Sequence, residues 1–441
     1  MSFLTQTNRR AFAVFVTIII ALVVDISLIK IYGLGLNLYM SSTSLKVVAF
    51  IILSLVAIIG QSTMIQYVKS KATNLKTSVA LHLQGIQNIF RVFQYVLAVI
   101  LVSLVLQIVF AHFYSTVLLI GVTSFSYLLV LILLGSLSLR FISWFRLNRT
   151  SVGLCYTLTC ISLAINSFFS LIYVDYLLLA KPPEIGPFGG GSGYPVSLAQ
   201  AFYLLYIVST IVSFLLTWAA TVLLLHHYSR KLGKIKYWIF VSIPLIYFLS
   251  QFLTLFPNVI NEIISKDPVY YSTILTLAFT LSKIAGGIFF GLAFWFVAKN
   301  LPHGNTIRDY MIICAYGFIF FFISNQAIVL VIAPYPPFGL IAAAYAGLSA
   351  YLILIGIYSS ALSVSQDISL RRSIKKLAKA EPRLLDSIGM AQVEKEIQSK
   401  VIRAIKCNQE LMSEKTGVES SLTEEDINQY LNQVLKEVKK N

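Results

Sequence analysis

The amino-acid sequence predicts an all-α protein, a polytopic bundle of about ten transmembrane helices followed by a short helical tail. Of its 441 residues, 57% are hydrophobic and 12% are charged, and the mean hydropathy is +0.80. A soluble chain of this length cannot bury so much apolar surface. The apolar residues also fall in long runs, and the basic residues between those runs lie mostly on one side of the implied membrane.

The apolar runs predict ten spans, which we number in chain order. A helix rises about 1.5 Å per residue, so about 20 apolar residues cross the hydrocarbon core. Helices are favoured there because they satisfy their own backbone hydrogen bonds. The predicted spans cover residues 11–32, 47–68, 92–113, 116–138, 152–174, 201–225, 237–257, 271–298, 310–333 and 338–363.

The loops between the spans predict the orientation. If the N-terminus is cytoplasmic, the inner segments before the tail carry fifteen Lys and Arg residues and the outer segments carry four. Because Lys and Arg near span ends are retained in the cytoplasm, we expect both termini there and the protein in the cell membrane. The formal charge of +16 then faces the anionic headgroups of the inner leaflet. The bilayer, and not nucleic acid, is the expected partner.

The hydrophobicity drops after Ser365, which divides the chain into a transmembrane domain, 1–365, and a cytoplasmic tail, 366–441. Apolar residues recur at helical spacing in two parts of the tail, and Thr423 with acidic residues after it favours the start of the second helix. These two apolar stripes pack on each other, or one of them binds a cytoplasmic partner or a second copy. The interaction face of the second helix consists of Ile427, Tyr430, Leu431, Val434, Leu435 and Val438.

Two charged residues lie at membrane depth, away from the ends of the predicted spans. Lys283 is near the middle of span eight, and Asp25 is in the outer half of span one. Charges in hydrocarbon are costly and therefore need a partner or a function. We predict a structural ion pair between them. The alternative is an intramembrane site for an ion, a proton or a charged ligand.

The remaining polar residues of the spans are weaker candidates. Four amide side chains can form hydrogen bonds between helices, and we interpret each as stabilising helix packing. They are Asn325 and Gln326 in span nine, Gln251 in span seven and Asn166 in span five. Asp175, at the outer end of span five, is expected to face the headgroups.

No motif in the sequence indicates chemistry. Gly287 and Gly291, four residues apart in span eight, are typical of a helix surface that a neighbouring helix approaches closely. The His, Cys, Asp and Glu residues do not follow metal-ligand spacing, and no Ser, His and Asp arrangement suggests a nucleophile. We therefore expect no catalytic site, no metal and no cofactor.

The span count suggests a comparison with transporters. Spans one to five and spans six to ten form two halves, each with an odd number of helices. The second half would therefore have the opposite orientation in the membrane, as in inverted-repeat transporters. Such folds also interrupt matching helices, whereas spans one and six contain no Gly or Pro. The sequence therefore favours a membrane sensor or signalling scaffold that couples through its tail. A secondary transporter with an Asp25/Lys283 site is the alternative.

Four short motifs lie in the C-terminal third of the chain: Pro336-Pro337-Phe338-Gly339, Gly356-Ile357-Tyr358-Ser359-Ser360, Ser365-Gln366-Asp367 and Leu370-Arg371-Arg372. With these motifs the C-terminal third resembles archaeal multi-pass integral membrane proteins of unassigned activity. The resemblance covers residues 310–440 and implies a membrane protein, but it assigns no catalytic or ligand-binding residues.

Overall fold

The computed structural model is helical and contains one short pair of strands. It describes residues 6–33, 42–72, 77–186, 196–226, 233–252, 268–301, 306–326, 330, 333–366, 371 and 383–416. The helices are α1 (Gln6–Gly33), α2 (Thr43–Ala72), α3 (Thr77–Leu106), α4 (Thr116–Leu147), α5 (Ser151–Leu179), α6 (Val196–Leu225), α7 (Lys234–Ser250), α8 (Pro268–Asn300), α9 (Thr306–Ser324), α10 (Leu340–Gln366) and α11 (Arg383–Thr416).

Each predicted span overlaps one of the helices α1 to α10. Within the described ranges, nine of these ten helices are long and apolar enough to cross a membrane. The exception is α7, which has 17 residues and contains Pro244. The chain is therefore a multi-pass helical membrane protein, while the count of ten spans and the orientation of the termini stay predictions.

Helices α9 and α10 form a hairpin at the centre of the bundle. Every residue of α10 from Leu340 to Ser365 is buried, as are nearly all residues of α9. Small residues hold the two helices close: a Cβ on Gly317 would lie 2.7 Å from the Ile353 nitrogen, and a Cβ on Gly356 would lie 2.8 Å from the Tyr310 carbonyl oxygen. Close backbone approach through small residues is a main source of packing energy between membrane helices. Helices α1, α2, α4 and α8 pack around this central hairpin.

One end of the bundle, which we call the loop end, carries a two-stranded sheet. Strand β1 (Tyr114–Ser115) pairs antiparallel with β2 (Glu184–Ile185). The Tyr114 hydroxyl donates to the Pro334 carbonyl at 3.0 Å, and the Tyr335 hydroxyl donates to the Ile108 carbonyl at 3.2 Å. The connection between α9 and α10 is therefore tied to the loops beside it.

The opposite end, which we call the tail end, carries α11. Trp144 of α4 donates through Nε1 to Gln392 at 3.0 Å, and the Ser365 hydroxyl of α10 donates to Glu396 at 2.7 Å. A Cβ on Gly389 would lie 2.2 Å from Val364 Cγ1, so the first half of α11 packs closely on α10. Helix α11 includes the first predicted apolar stripe of the tail. The predicted face from Ile427 to Val438 lies outside the described residues.

Candidate functional site

The central helix α9 ends inside the bundle. The sequence predicted a continuous span to residue 333, and this is wrong, because α9 ends at Ser324. The two residues that follow, Asn325 and Gln326, are buried and not helical. The Asn325 carbonyl accepts a hydrogen bond of 2.5 Å from Lys283 Nζ, which gives this carbonyl a partner outside a helix. Such non-helical backbone at membrane depth is tolerated because protein surrounds it.

The end of α9 lies at the middle of the neighbouring helices. It contacts Asn166 and Lys283, and Asn166 in turn contacts Thr210. These three residues are each within one residue of the midpoints of α5, α8 and α6, respectively. These helices are long enough to span the bilayer. The end of α9 therefore lies at mid-length of these three helices, away from both ends of the bundle.

Side chains from four segments meet at this point. Asn325 Nδ2 donates to Asn166 Oδ1 at 2.7 Å, which joins the end of α9 to α5. Asn166 Nδ2 in turn contacts the hydroxyl oxygens of Ser209 and Thr210 on α6, at 3.0 and 2.8 Å. Lys283 of α8 completes the group through the Asn325 carbonyl. We call Asn166, Ser209, Thr210, Lys283 and Asn325 the midplane cluster.

Lys283 is buried beside a backbone carbonyl and an aromatic ring. The side chain is 7% exposed, and it forms no ion pair with any carboxylate in the described part of the chain. Its Nζ lies 5.9 Å from the centroid of the Tyr206 ring, in cation–π geometry. It also lies at the C-terminus of α9, where the helix dipole is negative.

Asp25 has a different partner from the predicted one. Its carboxylate accepts hydrogen bonds from the backbone amides of Gly339, at 2.9 Å, and Ala342, at 3.0 Å. It therefore caps the N-terminus of α10, the positive end of that helix dipole. The predicted Asp25–Lys283 ion pair is not among the ion pairs of the described residues. Both charges instead bind helix ends of the central hairpin, which sequence patterns do not show.

Three polar atoms beside the midplane cluster are unsatisfied. Ser324 Oγ, Asn325 Oδ1 and Gln326 Nε2 are buried and have no hydrogen-bond partner in the structure as described. A buried polar group without a partner costs about 1–3 kcal/mol, and most native proteins contain few of them. Their concentration at the end of α9 makes this the candidate site for a polar ligand or an ion.

The weaker candidates of the sequence have local partners. Asp175 does not simply face headgroups as predicted, since its carboxylate accepts hydrogen bonds from Thr123 at 2.8 Å and Ser124 at 2.6 Å on α4. Gln251 is half-buried, and its backbone amide bonds the Leu249 carbonyl at the end of α7. Neither residue belongs to the midplane cluster.

The glycines of α8 bring that helix against α9. A Cβ on Gly287 would lie 2.5 Å from the Cβ of Phe322, and one on Gly291 would lie 2.4 Å from Ile319 Cγ1. The close approach is one turn from Lys283 and holds that side chain at the end of α9. The two glycines thus position the cluster, in keeping with the packing role that their spacing predicts.

Comparisons with protein-family models, curated proteins and solved structures found no match for this chain. The resemblance of residues 310–440 to archaeal membrane proteins therefore stays a prediction. Among the described residues, no group of His, Cys, Asp and Glu is arranged to hold a metal ion. The structure thus defines a class, a multi-pass membrane protein with a central helix that ends at a buried polar cluster.

Proposed function

We propose that the protein is a secondary transporter and that the midplane cluster is its substrate or coupling-ion site. The observation that carries the proposal is the end of α9 beside Lys283 at the middle of the bundle. Secondary transporters bind their cargo near the bilayer midplane at interrupted helices, whose free carbonyls and dipole ends serve as ligands. The sequence favoured a sensor partly because it showed no interrupted span.

The chemistry of the cluster fits a small cation better than an anion. The Asn325 carbonyl, Asn325 Oδ1 and Ser324 Oγ are oxygen atoms at the negative end of α9, and the last two are unsatisfied. The Lys283 ammonium occupies the position that a bound cation would take. Binding of a monovalent cation would compete with the Lys283 charge, so displacement or deprotonation of Lys283 would couple a cation to proton movement.

The first experiment tests whether the cluster is reached by water, which transport requires and which needs no known substrate. In a background where Cys155, Cys160, Cys314 and Cys407 are replaced by serine, Asn325→Cys should react with a small membrane-impermeant thiol reagent. The matched control is Ala344→Cys, at a fully buried position of α10, which should not react. Equal inertness of the two cysteines would show a dry structural cluster and refute the proposal.

The second experiment measures flux. Proteoliposomes filled with a pH-sensitive dye are exposed to a Na⁺ or a K⁺ gradient, and the wild-type protein is expected to change the luminal pH. Lys283→Gln should abolish the change, whereas Lys236→Gln, which removes an exposed charge at the start of α7, should preserve it. Unaltered flux through the Lys283→Gln protein would exclude the proposed role of this residue.

A sensor or signalling scaffold is the second candidate, and the docking of α11 favours it. Helix α11 contacts α4, α5 and the end of α10, and Asp25 binds the other end of α10. A displacement of α10 along its axis would therefore also move α11. Deleting residues 424–440, or undocking α11 with Gly389→Val, should abolish the response of a sensor and leave the flux of a transporter intact. Unchanged partners and responses in both variants would eliminate the sensor.

A further inference from the structure

A second polar site lies in a cleft between α2 and α3, away from the midplane cluster. The cleft has a volume of about 310 Å³, and two cationic side chains, Lys69 and Arg91, line it. Lys69 is exposed and Arg91 is half-buried. The adjacent Lys71 pairs with Asp309 of α9 at 2.8 Å, which places the cationic part of the cleft at the tail end.

The polarity of the cleft changes along its length. Ile58, which also lines it, is close to the midpoint of α2, whereas Lys69 is near the end of that helix. Their separation of eleven positions corresponds to about 16 Å of helix. Ala98 of α3 lines the cleft as well. The cleft therefore runs from cations at the tail end to a lining of mixed polarity further along α2, where Gln61 lines it beside Ile58.

Gln94 provides independent evidence for a ligand. Its side chain lines the cleft and is only 5% exposed, yet neither Nε2 nor Oε1 has a hydrogen-bond partner in the structure as described. Burial of an unsatisfied amide opposes folding, and a leucine of similar size would avoid that cost. The amide gains its partners if a bound molecule supplies an acceptor for Nε2 and a donor for Oε1.

We propose that this cleft is a binding site for the phosphate group of an anionic phospholipid from the leaflet at the tail end. Lys69 and Arg91 bind the phosphate through charge-assisted hydrogen bonds, and Arg91 offers two parallel donors. Gln94 bonds the phosphate or glycerol oxygens, and the acyl chain lies along Ile58 and Ala98. Basic pockets between membrane helices are suited to such headgroups. This site goes beyond the transport proposal and does not depend on it.

The test compares lipids on the purified, delipidated protein. Native mass spectrometry should show phosphatidylglycerol bound in preference to phosphatidylcholine. Arg91→Gln and, separately, Lys69→Gln should each weaken that binding about tenfold, the effect of losing one charge-assisted hydrogen bond. Lys236→Gln removes an exposed charge on α7 and should bind as the wild type does. Equal loss in the Lys236→Gln control would show a diffuse charge effect and overturn the assignment.

The Gln94→Leu variant distinguishes a ligand-binding role of Gln94 from a purely structural role. Without lipid, the melting temperature of Gln94→Leu should equal or exceed that of the wild type, and the increase caused by phosphatidylglycerol should be lost. A lower melting temperature with the lipid-induced increase intact would make Gln94 structural and overturn its role. Inorganic phosphate should give no comparable increase. An equal increase with inorganic phosphate would assign the cleft to a soluble anion and overturn the lipid proposal.

Discussion

Replacing Asp25 tests whether a carboxylate satisfies the buried end of α10. Two backbone amides, those of Gly339 and Ala342, donate to this carboxylate at 2.9 and 3.0 Å, and the Asp25 side chain is fully buried. In Asp25→Ala both amides lose their acceptor. In Asp25→Asn one oxygen remains, but the second acceptor and the negative charge are lost.

The expected loss of stability follows from these contacts. Two orphaned amides at about 1–3 kcal/mol each predict a loss of about 2–6 kcal/mol for Asp25→Ala. Asp25→Asn orphans one amide, about 1–3 kcal/mol, and loses a charge–dipole interaction of up to about 2 kcal/mol. The asparagine variant also avoids the burial of a charge, which offsets part of that loss. We therefore expect stability to fall in the order wild type, Asp25→Asn, Asp25→Ala.

The assay is reversible unfolding in mixed detergent micelles, followed by helical circular dichroism as sodium dodecyl sulfate is added. Glu184→Gln is the matched control, because it alters an exposed carboxylate in β2 and should change the free energy of unfolding by no more than about 0.5 kcal/mol. If Asp25→Ala is as stable as this control, or more stable than Asp25→Asn, the capping argument is incorrect.

Two further predictions concern packing and the tail. Gly356→Ala should lower the free energy of unfolding by about 1–3 kcal/mol, because the new Cβ meets the backbone of α9. The control is Gly135→Ala, where no atom lies within 4 Å of the new Cβ. This variant should be neutral or stabilising by up to about 1 kcal/mol. Equal effects in the same unfolding assay would contradict the close approach. Burial first, and then the positive charge of Arg140, lower the pKa of Lys395 below its ordinary value of 10.5. Between that lowered pKa and 10.5, undocked α11 binds more protons than docked α11. Docking should therefore strengthen as the pH rises through this range. Protease protection of α11 should report this trend, and Lys395→Met should remove it while the exposed Lys400→Met should not.

Part of the structure could be predicted from the amino-acid sequence, because the bilayer imposes local constraints on the backbone. A run of apolar residues must form a helix wherever no water can satisfy its backbone, so all ten predicted spans overlap helices. The same constraint made Asp25 and Lys283 conspicuous. The first tail helix was also predictable, because the apolar stripe that includes Val393 and Ile397 has helical spacing and lies in α11. The predicted start of the second helix at Thr423 lies outside the described residues.

The contact partners of Asp25 and Lys283 could not be predicted from the sequence. Sequence position determines the depth of a residue along its helix, but neither its direction nor the neighbouring helix. Asp25 and Lys283 bind backbone groups at the ends of α10 and α9, and a hydropathy pattern does not reveal where a helix ends inside the membrane. Asn325 and Gln326 were a signal for that end, since two adjacent amides interrupt an apolar run, but single polar residues usually serve packing.

The cleft between α2 and α3 shows the same division. In the sequence, Lys69 and Arg91 indicate only the orientation of the spans, and Gln94 lies within an apolar run. Hydropathy and charge are sufficient to predict the class of protein, the approximate positions of its helices and the residues too polar for a membrane. Which of those residues meet depends on the tertiary structure, because contacts between helices depend on rotation and close packing about each axis, which apolar composition in lipid leaves open.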